Sequence, residues 1–148
     1  MTIQLDILAA LKAMAIAALP AADLTVIEPG DDMPAADRIS PGGRIIIEYG
    51  EPGDAEIDLC PPTYNYDHQI PVTFAASKAL DGESAVAAVA AMLTAFGIAI
   101  VADRTLGGLV QYLDATAPSI ESLFSPGSTP AREAQAILTA TYSTTSPL

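Results

Sequence analysis

SAVAAVAAMLTAFGIAIVA, residues 84–102, is a run of nineteen residues without a charge, and its reading decides the fold. The run is long enough for a membrane-spanning helix. Its composition argues otherwise: eight of the nineteen residues are alanine, the flanks are Glu83 and Asp103 with only Arg104 as a nearby cation, and no aromatic belt brackets it. Val86, Val89, Leu93, Phe96 and Ile100 recur every three or four positions, which predicts a buried helix of a soluble protein from about Gly82 to beyond Phe96. The large residues suit a sheet. The alanine face, with Ala88 and Ala91, permits close approach by a first helix or by a neighbouring subunit.

Upstream, Leu5, Leu8, Leu11, Ile16 and Leu19 lie near helical spacing, with Asp6 in the first turn and Pro20 as a stop. This first helix is not read as a signal peptide, because an acid stands where a basic segment is needed and Lys12 interrupts the apolar run. Leu24 to Ile27 is a short strand candidate, and residues 28–43 are dense in turn formers and are expected to be a mobile loop. Arg44–Tyr49 and Ala55–Cys60 flank Glu51-Pro52-Gly53-Asp54, the strongest hairpin signal in the chain. Tyr64 to Ala76 alternates Tyr64, Tyr66, His68, Ile70, Val72 and Phe74, with Pro71 predicting an edge strand or a bulge. Downstream, Leu109–Leu113 is a predicted strand, residues 117–130 an irregular mobile loop, and Ala134–Thr144 the last strand. The sum is one α+β domain over residues 1–148: a mainly antiparallel sheet of about four to five strands with two principal helices on one face.

Composition narrows function. Among 148 residues, 28 are alanine, and 18 acids against 6 basic residues give a net charge of −12. A grip on a phosphate backbone or an anionic membrane needs clustered cations, so both are excluded as partners to be held. The single cysteine, Cys60, excludes an internal disulfide and multi-cysteine metal frameworks, and it fits an intracellular history.

Chemistry is sparse. Cys60 and His68 are the right types for a thiolate–imidazolium pair, but no third orienting group is specified; a small buried hydrophobe beside a strand-face histidine is the favoured reading. Asp31, Asp32 and Asp37, and the Asp54, Glu56, Asp58 series, lack the twelve-residue calcium loop and read as a solvated acidic face. Arg104-Thr105-Leu106-Gly107-Gly108 lacks both dinucleotide spacing and a phosphate-loop lysine. Arg38, Arg44 and Arg104 read as surface ion pairs. No catalytic residue, cofactor or metal is expected, which points to a binding or structural protein.

Residues 102–118, Ala-Asp-Arg-Thr-Leu-Gly-Gly-Leu-Val-Gln-Tyr-Leu-Asp-Ala-Thr-Ala-Pro, followed by Ala136-Ile-Leu-Thr-Ala-Thr-Tyr-Ser-Thr144, resemble the tail terminator or tail-completion proteins of tailed bacteriophages. The element order matches along nearly the whole chain; the specific motif covers Asp103 to Asp114 and the terminal strand. The resemblance implies a homo-oligomeric ring, usually of six subunits, in the virion tail neck, assembled in the host cytoplasm. Such a ring caps the tail tube, ends its polymerisation and meets the head-completion proteins while viral DNA passes through. On that reading the candidate interface residues are Ala88, Ala91, Arg104, Leu106, Gly107 and Gly108, and the candidate lumen acids are Asp31, Asp32, Asp54, Glu56 and Asp58. A head-completion or stopper protein is the nearest alternative, and a small cytosolic enzyme using Cys60 and His68 a more distant one.

Overall fold

The computed structural model describes residues 2–34, 39–77, 84–123 and 131–148. The elements run α1 (Ile3–Ala18), β1 (Asp23–Ile27), β2 (Arg44–Glu48), β3 (Glu56–Leu59), β4 (Pro62–Ser77), α2 (Ala85–Ala102), β5 (Tyr112–Ala115), β6 (Ser119–Leu123) and β7 (Ala131–Thr144). The class is α+β: the described residues form two helices and one mixed sheet of seven strands, larger than the four to five expected. β1 runs parallel to β2; the other pairings are antiparallel.

The frame is the β4–β7 ladder, unbroken from Tyr64 opposite Thr144 to Ser77 opposite Ala131. β2 and β3 sit in tandem along the other side of β4, and β5 and β6 likewise along β7. The expected hairpin between β2 and β3 therefore does not form. β2 carries four consecutive buried residues and needs buried neighbours, whereas β3 is exposed throughout. Ile45 and Ile47 accordingly face Phe74 and Val72, while β3 folds back on the start of β4.

β4 is central, not an edge, and Pro71 is accommodated by a bulge in its neighbour. Ile47 pairs with Val72 and Glu51 with Gln69, so four backbone steps oppose three. Gln69 exchanges both hydrogen bonds with Glu51, and strand alternation aims the Pro71 nitrogen to the same side, where no ladder donor is required. Gly50 makes the bulge possible: its φ is 68°, and a Cβ there would collide with the Gln69 carbonyl.

The helices cover one side of the sheet. Ile7, Leu8 and Leu11 of α1 and Val89, Met92, Phe96 and Ile100 of α2 pack with Ile45, Ile47, Ile70, Val72, Phe74, Leu113, Leu138 and Tyr142. Phe96 meets Phe74 edge-on at 5.3 Å. The Ser84 hydroxyl caps α2 by accepting from the Ala87 amide at 3.1 Å, worth about 1 kcal/mol; the predicted start at Gly82 lies outside the described residues.

α2 is not the buried helix expected. Only Val89, Met92, Phe96 and Ile100 are buried, while Ile98 and Val101 are each 66% exposed. A single helix layer has the sheet on one side only, so the outer half of each helix has nothing to cover it. By length and composition α2 would also pass for a membrane-spanning helix.

Three boundaries shift. The strand predicted over Leu109–Leu113 begins at Tyr112, β7 begins at Ala131, and β6 occupies part of the segment expected to be irregular. Residues 124–130 of that segment, and 35–38 of the first loop, lie outside the described residues. The end of the first loop is packed: Gly43 is buried and lies against Met92.

Candidate functional site

The corner after α2 is built around Asp103. One carboxylate oxygen, Oδ1, accepts from the Thr105 amide at 3.2 Å and from its hydroxyl at 3.1 Å; Oδ2 accepts from the Gly107 amide at 2.9 Å. Leu106, Gly107 and Gly108 are all left-handed, with φ of 49°, 70° and 93°. For Leu106 that conformation costs about 1–2 kcal/mol, offset by burial of its side chain in the core, with Val110 as a second anchor. A Cβ on Gly107 or Gly108 would meet nothing within 4 Å, so the glycines serve backbone handedness and not close packing.

Arg104 is engaged within its own chain. Its guanidinium donates to the Leu113 carbonyl at 3.1 Å, and its own carbonyl accepts from the Leu113 amide at 2.8 Å. The guanidinium also lies 3.7 Å from an Asp114 oxygen and 5.1 Å from the Tyr112 ring centre. Arg44, expected on the surface, is buried; Arg38 lies outside the described residues.

Beside the corner runs an apolar groove of about 770 Å³ between Ala10, Met14 and Ala17 of α1 and Ala95, Ile98 and Ala102 of α2. Leu106 and Gly107 close one end, and among the described residues Asp103 is the only ionisable one in the lining. The structure thus gathers part of the candidate interface. Ala91 is exposed one turn before Ala95 on the same face of α2 but does not line the groove, Gly108 is exposed in the corner, and Ala88 packs against the core.

The opposite face of the sheet, on which no helix packs among the described residues, is acidic. Register partners share a face, and the positions alternating with the core residues carry Glu48, Glu51, Glu56, Asp58, Asp67, Asp114, Glu121 and Glu133. Glu121 stands directly opposite Glu133, a like-charge pair. Arg44, paired with Ala75, is the one cation on these described strand positions of this face, and it is buried.

The five candidate lumen acids fall in two places. Asp31 joins Glu28, Glu48 and Glu51 around a cleft of about 490 Å³ beside Tyr49, with Asp32 exposed next to it. There the Tyr49 hydroxyl donates to Glu28 at 3.4 Å and is held above its usual pKa by burial first and by Glu28 second. Asp54 and Glu56 line a second cleft of about 580 Å³ with Asp67, and Asp58, bonded by the Asn65 amide at 3.0 Å, is on the same strand as Glu56. Asp37 lies outside the described residues. Asp67, Asp114, Glu121 and Glu133 were not singled out from sequence. The signal for Asp67 and Glu133 is the polar phase of the alternation in β4 and β7, whereas Asp114 and Glu121 lie on the short strands β5 and β6 and join this face only through their pairing with β7.

Cys60 and His68 are not brought together. Cys60 is exposed in the turn between β3 and β4, correcting its reading as a buried hydrophobe. His68 is 1% exposed and lies six residues into β4 from Pro62, about 20 Å along an extended strand. Its Nε2 sits 2.8 Å from the Tyr49 carbonyl, which fixes Nε2–H as the donor and leaves Nδ1 bare, with no partner among the described residues. Burial pushes the His68 pKa down, partly opposed by the Tyr49 bond. Among the described residues no group of three His, Cys, Asp or Glu side chains is placed to hold a metal ion. In sequence, the chain matches no family model and no curated protein.

Proposed function

We propose that this chain is a structural protein of a bacteriophage tail neck, forming a ring that caps the tail tube, ends its growth and joins it to the head-completion complex. The observation that carries the reading is the division of the surface: one side of the sheet bears the helix layer, with the uncharged α2 and an apolar groove, and the other a field of carboxylates. A ring needs apolar patches for its subunit contacts. A wall that lets DNA slide past needs to repel it, and carboxylates do so over about a Debye length. The resemblance at Asp103 to Asp114 adds to this, since Leu106, Val110 and the Asp103 bonds make that segment a fixed corner beside the groove.

Electron microscopy of tail tubes assembled with and without the chain tests the reading. Rings at tube ends and shorter, uniform tubes are expected; unaltered tube length with bare ends sinks it. Binding to the portal side instead favours a stopper. Neutralising Asp54, Glu56, Asp58 and Asp67 together is expected to slow DNA release from assembled particles, and unchanged release removes the lumen assignment.

A further inference from the structure

The groove between α1 and α2 is not the only uncovered apolar feature. On β3, Ile57 and Leu59 are 51% and 75% exposed. Their register with Tyr64 and Pro62 turns them to the helix side of the sheet, yet no helix covers them. Alternation turns Glu56 and Asp58 the other way. The strand therefore carries a two-residue apolar ridge that can be inserted without stripping water from its carboxylates.

The groove has matching chemistry. Its lining is apolar apart from Asp103, whose carboxylate oxygens are already occupied by the Thr105 and Gly107 amides. An acidic segment entering it would lose hydration and meet the charge of Asp103. A second copy of this chain, with net charge −12, is repelled by most approaches, and the groove and the β3 ridge are two apolar patches whose contact would set no carboxylate against another.

We propose that the α1–α2 groove seats the β3 edge of a second copy, with Ile57 and Leu59 inserted. Because ridge and groove are different patches, the contact is head-to-tail: it closes into a ring where the rotation between copies permits, and otherwise extends as a filament. This assignment rests on the ring reading above and names the two surfaces that make the ring.

Cys60, exposed beside Leu59, supplies the test. Ala17→Cys places a second thiol on the groove. Mild oxidation of this variant is expected to give a ladder of covalent multimers, and the same change with Cys60→Ser is expected to give none. Leu59→Asp and Ile98→Asp, both at exposed positions, are each expected to weaken self-association by at least about tenfold with unfolding midpoints unchanged. Three results overturn the assignment: covalent dimers in the Cys60→Ser background, which would mean grooves facing each other; self-association insensitive to both aspartates; or a wild-type chain that stays monomeric at about 100 µM and floats with phosphatidylcholine vesicles. The tube-end assay reads the ring separately, so a capped tube with insensitive aspartates rejects these surfaces and leaves the ring standing.

Discussion

The Asp103 carboxylate reaches across the end of α2 to the amide of Gly107 at 2.9 Å, and this bond holds three consecutive left-handed residues in place. Asp103 is at once the last polar group of an otherwise uncharged helix and the pin of the turn that follows.

Asp103→Ala removes the acceptor for three donors. It is expected to cost about 1–3 kcal/mol in urea unfolding, with Asp103→Asn recovering part of the loss by keeping one oxygen. If Ala and Asn variants unfold with wild type, the corner is held by Leu106 and Val110 alone.

Gly50 and Gly53 separate two costs. Both have positive φ, 68° and 69°, but only Gly50 faces the Gln69 carbonyl; nothing lies within 4 Å of a Cβ on Gly53. Gly53→Ala is expected to cost about 1 kcal/mol for handedness. Gly50→Ala must also displace the bulge opposite Pro71 and is expected to cost clearly more in the same experiment; equal losses would mean the bulge shifts freely.

His68 should make stability depend on pH. Its folded pKa lies below the unfolded value, so the unfolded chain takes up the proton more readily. The neutral form's contribution is fully present above about pH 6.5 and is lost as pH falls from there toward the folded pKa. Unfolding midpoints should fall over that window, and His68→Gln, which keeps an N–H for the Tyr49 carbonyl, should flatten that part of the profile. Parallel profiles would refute the assignment.

The acidic sheet face carries self-repulsion. Glu121→Gln is expected to raise stability by a few tenths of a kcal/mol, since like charges directly opposite on a ladder destabilise it. Adding salt should narrow the gap between variant and wild type. A stabilising effect independent of salt would point to something other than charge.

The strands and helices that follow a period were legible. Residues 84–102 and 64–76 announced α2 and β4 because their large residues recur at 3.6 and 2. Pairing was not. Glu51-Pro52-Gly53-Asp54 does contain a left-handed glycine, but partner choice was decided by burial across the sheet, which gave β2 to Phe74 and Val72. The groove was half legible: the alanines of α2 were noted, but that α1 would leave its own Ala10, Ala13 and Ala17 beside them needs the packed helices. The acidic face needed the strand order, since Asp114 and Asp67 become near neighbours only when β5 and β4 flank β7.

The ladder from Tyr64–Thr144 to Ser77–Ala131 has a kinetic consequence. Its two strands are separated in sequence by α2, β5 and β6, so the central pairing has high contact order. A chain emerging from the ribosome holds β4 with one side unzipped until Thr144 has been added. The central pairing therefore has to close a loop that spans α2, β5 and β6, and the sheet is completed only when β7 docks.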